Sequence, residues 1–387
     1  MKNLKKVLAG VTLSAMALAS CNESQTAPGL VSGLDTERFD SIVNDIPVQL
    51  FELKNANGMC VDVTNFGGRV VAIMVPDRNG EMQDVVLGFD NLKQYTDSVN
   101  SPSDFGAAIG RYANRLNKGE ITIDGEKYTL PTNNFGHTLH GGPSGWQYQV
   151  YEAEKVNEST LKLTMRSKDG DMNFPGNVVA TVTYTVTDDN ALDIKYEATT
   201  DKATVINMTN HSYFNLSGNP ENTILEDSLY LNSTSFTPVD STYMTTGEIV
   251  TTENTLFDFS TMKTVGRDMT EENIKNDIQL HNGNGYDHNW VLDTKGDDTQ
   301  IAATLKCAKS GIQMDMYTNE PGVQVYSGNF LDGTAVGKKG IVYKQRTGIC
   351  LETQKYPDTP NKPEWPSAFL NPGEKYYSHC VYKFSTF

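Results

Sequence analysis

Between residues 178 and 187, Val178, Ala180, Val182, Tyr184 and Val186 alternate with Val179, Thr181, Thr183, Thr185 and Thr187. A period of two rich in β-branched side chains describes a strand with one buried and one wetted face. Asp188-Asp189-Asn190 supplies a turn, after which Leu192, Ile194 and Tyr196 alternate with Asp193, Lys195 and Glu197, so the pattern predicts a hairpin. A second hairpin is predicted where Ile121 and Ile123 meet Tyr128 and Leu130 across Asp124-Gly125, a pair suited to a two-residue turn. Similar short runs recur at 58–75, 160–166, 301–308, 311–317, 323–328, 348–354 and 376–384, usually punctuated by Gly and Asn/Asp clusters. Helical signals are few. One covers 36–43, with a cap and an apolar stripe, and another covers 270–280 with an acidic first turn. The pattern predicts an all-β chain, large, antiparallel and sandwich-like, and no fixed-period repeat points to a propeller.

The N-terminus reads differently. Lys2, Lys5 and Lys6 precede an apolar run from Val7 to Ala19, the pattern of an export signal. The run falls short of the roughly 20 residues a spanning helix needs. It ends in Leu18-Ala19-Ser20-Cys21, which resembles a bacterial lipobox with Cys21 as the lipidated first residue of the mature chain. The small, polar stretch that follows, NESQTAPGLVSG, cannot bury enough apolar area to order itself. The expected organisation is a signal over 1–20, lipidated Cys21 and a flexible tether over 21–34, and one β-sandwich domain over 35–387, which no Pro/Gly/Ser-rich linker divides. Such a protein is exported and periplasm-facing or on the outer membrane, and it touches the membrane only through its lipid.

Charge narrows the partners. The chain has 32 basic and 48 acidic residues, a net charge of −16, and loss of the three signal lysines makes it more negative still. That works against nucleic acid as a partner. Apart from Cys21, the cysteines are Cys60, Cys307, Cys350 and Cys380, which an oxidising compartment could pair in three ways or leave as buried thiols. No CxxC or Cys/His spacing suggests zinc.

Six histidines are few for this length, and their settings differ. His211 stands in the polar and aromatic cluster Asn210-His211-Ser212-Tyr213-Phe214-Asn215. His140 precedes Gly141-Gly142, where the missing side chains permit close approach of backbone or ligand. Either histidine could equally be a buried hydrogen-bonder. A metal site from His137 and His140 lacks a nearby carboxylate or thiol to complete it. Glu352 lies in Gly348-Ile349-Cys350-Leu351-Glu352-Thr353-Gln354, where a strand puts it on the face of Cys350 and Gln354. A half-buried carboxyl there has a raised pKa, which suits a group that takes and returns a proton near neutrality; pairing with an arginine is the plainer alternative. Of the two guanidiniums in Gly110-Arg111-Tyr112-Ala113-Asn114-Arg115, one could steer a polar substrate and the other be an ordinary strand-end cation. Asp287 in Gly285-Tyr286-Asp287-His288-Asn289-Trp290 joins an acid to an aromatic ring, a pairing suited to a sugar, although Trp290 fits a core equally well.

In order along nearly all of the mature chain, these segments resemble the aldose 1-epimerase (galactose mutarotase) family. Asn65-Phe66-Gly67-Gly68, the Arg111 to Arg115 and His140 segments, Asn210-His211-Ser212-Tyr213-Phe214-Asn215-Leu216 and Tyr286-Asp287-His288-Asn289 carry the match. Glu320-Pro321-Gly322-Val323-Gln324-Val325-Tyr326, Leu351-Glu352-Thr353-Gln354 and the tail Pro357-Asp358-Thr359-Pro360-Asn361 continue it. The resemblance implies a β-supersandwich and an isomerase that interconverts the anomers of free aldohexoses such as galactose and glucose, with no cofactor. It implies that Glu352 is the base at the anomeric hydroxyl and His211 the acid at the ring oxygen. Arg115 and His140 would bond the sugar, and Asn114, Asp287 and Gln324 would fix its hydroxyls. Leu116, Trp290 and Trp365 depart from the commoner family residues and bear on substrate fit, not on a reacting group. The partner implied is a small aldose, and the chain is read as a monomer or weak dimer.

Three other functions are weighed on the same features. A glycoside hydrolase or lyase would employ Glu352 and Asp287 as paired carboxylates. A non-catalytic sugar-binding lipoprotein would keep Asp287 and Trp290 but have no use for a His/Glu pair. A phosphorylated-hexose epimerase would want further cations beside the sugar.

Overall fold

The computed structural model describes residues 29–97 and 104–387. The signal segment, Cys21 and the first part of the expected tether lie outside them. The strand read from alternation is Val178–Val186, and it pairs antiparallel with Ala191–Thr200, Val186 opposite Leu192. Val178, Ala180, Val182, Tyr184 and Val186 are all buried. In the second hairpin Ile123 faces Glu126, with Asp124 and Gly125 both at positive φ, the backbone that this two-residue turn demands.

The largest sheet has nine strands. In spatial order it runs Glu152–Asn157, Thr160–Ser167, Val178–Val186, Ala191–Thr200, Tyr376–Thr386, Ile312–Thr318, Ala303–Cys307, Ser228–Leu231 and Lys263–Thr264. A five-stranded sheet runs Val250–Thr251, Ser235–Thr237, Asp287–Val291, Gly322–Tyr326 and Cys350–Gln354, and a four-stranded sheet is built from 50–84. Every pairing between named strands is antiparallel. One continuous apolar core takes Val182 and Ile194 from the large sheet, Trp290, Val325 and Leu351 from the five-stranded sheet, and Val61 and Ile73 from the four-stranded sheet. Facing sheets that share a core make this an antiparallel β-sandwich of the expected class.

Three local expectations change. Residues 36–43 form no α-helix. Asp35 caps a single 3₁₀ turn over Thr36–Arg38, and then Asn44 and Asp45, both at positive φ, fold Ser41–Val43 back onto Ile46–Val48 as a small hairpin. The helix expected at 270–280 is two short ones, Glu271–Asn276 and Ile278–Gly283. Thr270 caps the first, and Asp277 ends it and caps the second through the N–H groups of Gln279 and Leu280. The chain is docked before residue 34, not tethered up to it: the Val31 N–H donates to Glu52 at 3.1 Å, the Ser32 hydroxyl bonds Asp62, and Leu34 is buried.

Candidate active site

The five-stranded sheet supplies one wall of the site through its pleat. Asn289, Gln324 and Glu352 stand in one cross-strand row, and Asp287, Tyr326 and Cys350 in the next. Side chains two apart on a strand share a face, so these six point to one side. Trp290, Val323, Val325 and Leu351 alternate with them and enter the core. The facing wall is less regular. The strand Thr209–His211 pairs with Ala107–Ile109, and just beyond it Phe214 exchanges both backbone hydrogen bonds with Ile349, at 2.7 and 3.0 Å. That exchange docks His211 beside the start of the Glu352 strand. Arg115 opens the two-residue strand Arg115–Leu116, opposite Leu139, and His140 follows at once. Gly141 has φ +79, and a Cβ there would stand 2.2 Å from the Gly110 carbonyl oxygen, so this close approach needs glycine.

Glu352, His211, His140, Arg115, Asn114 and Asp287 line one cavity of about 460 Å³. The volume falls in the range of small-molecule sites, ~300–1,000 Å³. His211 Nε2 lies 3.6 Å from Glu352 Oε1. Both side chains are buried, and the other carboxylate oxygen of Glu352 has no hydrogen-bond partner among the described residues. His140 Nδ1 accepts the backbone N–H of Asn114 at 3.1 Å, so the neutral ring carries its proton on Nε2. The His140 ring meets that of His211 edge-on, with centroids 5.2 Å apart. Arg115 donates through Nε and Nη2 to Asn134 Oδ1, at 3.3 and 2.8 Å, and its guanidinium lies 5.1 Å over the Tyr243 ring. Asp287 Oδ1 accepts from Gln324 Nε2 at 2.7 Å.

Burial sets the proton affinities. It pushes the Glu352 carboxyl well above the usual range, the charges of Asp287 and Asp104 push the same way, and Arg115 opposes them. Burial lowers the His211 imidazolium, with Asp104 opposing. The two shifts run in opposite directions, the carboxyl up and the imidazolium down, so burial reduces the bias of the ordinary values toward a proton resting on the imidazole. Burial, then the neighbouring His211 and Arg115, hold His140 well below its ordinary value, so it is a neutral donor.

His140, His211 and Glu352 also bring possible ligand atoms within 4.8 Å of one another. Because His140 Nδ1 receives a backbone N–H, its remaining nitrogen bears a hydrogen and not a lone pair, an arrangement made for a hydroxyl oxygen more than for a metal ion. His137 is held in the same way by the Lys118 N–H at 3.0 Å, and its Nε2 lies 2.9 Å from the Thr242 hydroxyl. The His137/His140 pair thus has both Nδ1 positions occupied.

Of the sequence-derived candidates, Gln324 is absent from the cavity lining and reaches it through its hydrogen bond to Asp287. Arg111 is no strand-end cation: it is buried and donates to the Pro175 and Gly176 carbonyls at 2.7 and 3.1 Å, leaving the cavity to Arg115. Trp290 is a core residue, its indole N–H donating to the Phe257 carbonyl. Cys60, Cys307, Cys350 and Cys380 are free and buried. Residues not singled out from sequence also line the cavity, among them Asp104, Asn134, Tyr148, Phe135 and Phe330. Phe135 and Phe330 are 56% and 51% exposed and flank Tyr243, with centroids 5.2 and 5.6 Å away. Their signal in the sequence is an aromatic residue set after turn formers, Asn133-Asn134-Phe135-Gly136 and Gly328-Asn329-Phe330.

The family model of aldose 1-epimerase matches residues 49–383. Galactose mutarotase from Sus scrofa is 38% identical over 350 residues, 89% of this chain and 98% of that protein. Aldose 1-epimerase from Escherichia coli (strain K12) is 36% identical over 340 residues, 87% of this chain and 95% of the other. Among solved structures, a GalM/aldose epimerase homologue from C. elegans superposes with a TM-score of 0.79 at 32% identity, covering 88% of this chain and 99% of its own. Galactose 1-epimerase from Lactobacillus acidophilus NCFM superposes with a TM-score of 0.76 at 26% identity, over 89% and 97% of the two chains. A match that runs from the four-stranded sheet to the last strand and takes in every residue of the cavity wall leaves one assignment: the chain belongs to the aldose 1-epimerase family.

Proposed function

We propose that this protein interconverts the α and β anomers of free aldohexoses, galactose and glucose among them, with Glu352 and His211 as its proton-transfer pair. The observation that carries the reading is the 3.6 Å separation of His211 Nε2 and Glu352 Oε1 inside a cavity of about 460 Å³. A sugar seated there presents two oxygens on one carbon, the anomeric hydroxyl and the ring oxygen. Two oxygens so joined are close enough for each to face one member of the pair at hydrogen-bond distance, roughly 2.6–3.2 Å.

Glu352 as carboxylate takes the proton of the anomeric hydroxyl while His211 as imidazolium gives its Nε2 proton to the ring oxygen. The C1 to ring-oxygen bond breaks and an open-chain aldehyde forms. Rotation about C1–C2 presents the other carbonyl face, and the two groups return their protons in the reverse sense as the ring closes. The His140 Nε2–H and the Arg115 guanidinium favour charge building on oxygen, and Asn114 and Asp287 hold hydroxyls, Asp287 being oriented by Gln324. Three carboxylates against one guanidinium in the cavity wall favour a neutral sugar over a phosphorylated one. The protein works as a monomer or weak dimer, all of these groups coming from one chain. The same reading has it exported and held at a membrane by lipid on Cys21, supported by Lys2, Lys5, Lys6, the apolar run and Leu18-Ala19-Ser20-Cys21.

The test is polarimetry on freshly dissolved α-galactose and α-glucose with wild type, Glu352→Gln and His211→Asn. Equilibration no faster than in buffer would end the mutarotase reading. An active wild type with equally active variants would end the assignment of roles.

A further inference from the structure

The His211 ring bridges two residues of one strand. Cys350 and Glu352 are two apart on Cys350–Gln354 and share a face. His211 Nδ1 lies 3.5 Å from Cys350 Sγ, while Nε2 lies 3.6 Å from Glu352 Oε1. Tyr213 stacks on the ring at 5.0 Å and 22°, and Tyr326 meets it edge-on at 6.5 Å. The aromatic neighbours hold the plane of the imidazole, with one nitrogen facing the thiol and the other the carboxylate, and the residue's own backbone also hydrogen-bonds the ring. Burial, then the charges of Glu352 and Asp287, push the Cys350 thiol well above the usual range, so the sulfur faces His211 uncharged.

We propose that Cys350 is a positioning residue for His211: its sulfur accepts the Nδ1–H and holds the imidazole in the tautomer whose Nε2 faces the anomeric centre. This rests on the reading of His211 as the acid. The protons balance through the cycle. Imidazolium gives its Nε2 proton to the ring oxygen and is left neutral with hydrogen on Nδ1, the same hydrogen that Cys350 holds, and Nε2 takes a proton back on closure. A carboxylate in this place would also orient the ring, but it would stabilise the imidazolium and weaken it as an acid toward an ether oxygen. A thiol sulfur is a weak acceptor and orients without that penalty. The other charged or titratable groups acting on the ring are Glu352, Asp104, His140 and Arg69.

The test uses the full protein with Cys350→Ala and Cys350→Ser, reading kcat and KM for galactose mutarotation against pH, together with ¹⁵N NMR of the His211 ring. Wild type is expected to show hydrogen on Nδ1 in the neutral ring. Cys350→Ala is expected to show mixed tautomers and a kcat lower by roughly tenfold, as for loss of other outer partners of a working histidine, with KM unchanged. Cys350→Ser should recover most of the rate, because a hydroxyl can accept the same hydrogen. A wild-type ring with hydrogen on Nε2 alone, or a folded alanine variant with wild-type kcat and pH profile, overturns the proposal. Should the alanine variant fail to fold, the wild-type tautomer and the serine variant still decide it. An inactive wild type would instead overturn the function proposed above, and the ring tautomer would continue to decide the contact.

Discussion

His211 Nε2 and Glu352 Oε1 are 3.6 Å apart, although 140 positions separate the two residues along the chain. The pair therefore does not straddle a whole sugar ring. In the proposed mechanism it spans the smaller unit of anomeric hydroxyl, C1 and ring oxygen, so a single bound geometry would let one group give a proton while the other takes one. Removing either is expected to lower kcat about 10²–10⁴-fold, the range for a positioned acid or base, with a smaller change in KM. Polarimetric progress curves at saturating galactose measure it; a loss below tenfold for both variants would contradict the assignment.

The pH profile follows from the pair holding one proton. Burial holds His211 below its ordinary 6.5 and Glu352 well above its ordinary 4.5, so both groups are protonated only on the acid side of the histidine range and both bare only well above the carboxylate range. The profile of kcat/KM is expected to be a bell whose limbs belong to the pair. After burial, the Asp287 charge is the largest influence raising Glu352, so Asp287→Asn should move the basic limb to lower pH as it weakens binding. A limb that stays in place or rises would refute this electrostatic account.

Glu352 also costs stability. Its affinity for a proton is raised in the folded state, so its contribution is most favourable below the unfolded value and is lost as pH rises through the folded one. Glu352→Gln keeps the shape without the charge. Its melting temperature at pH 8 is expected to exceed that of wild type by about 2 °C, with the gap closing toward pH 5. Thermal melts across that range check the sign, and a variant less stable at pH 8 would exclude it.

Arg115 holds Asn134 through two nitrogens and lies over Tyr243, a geometry a lysine cannot reproduce. Arg115→Lys is therefore expected to lose about 10- to 100-fold in kcat/KM, the worth of a charged hydrogen bond, despite keeping the charge. Steady-state kinetics with galactose and glucose give the value. Full activity in the lysine variant would mean that charge alone matters there.

Fractionation tests the N-terminal reading. Cys21→Ala is expected to move the protein from the membrane fraction of a bacterial host to the soluble one, and a variant that stays with membranes would contradict the lipobox.

Much of this molecule is legible one residue at a time. Alternation over 178–187 dictated a strand and its buried face, and Asp124-Gly125 dictated a turn, because both rest on neighbours in the chain. Alternation also placed Cys350 and Glu352 on one face of one strand. The ordered motifs specified the family and with it Glu352, His211, His140 and Arg115. The rest belongs to tertiary structure. The local pattern over 36–43 predicts a helix, but the cap supports only one turn, because the Asn44-Asp45 turn that recruits the segment into a hairpin acts from beyond it. Arg111 and Arg115 look alike in sequence, and only packing sends one beneath the Pro175 and Gly176 carbonyls and the other over Tyr243. Asp104 carries no local signal, yet its charge acts on both His211 and Glu352. Proton affinity, tautomer and the 3.6 Å gap depend on burial and on groups brought from distant strands. Periodicity encodes which face a side chain takes, and only the folded sheets decide what it meets there.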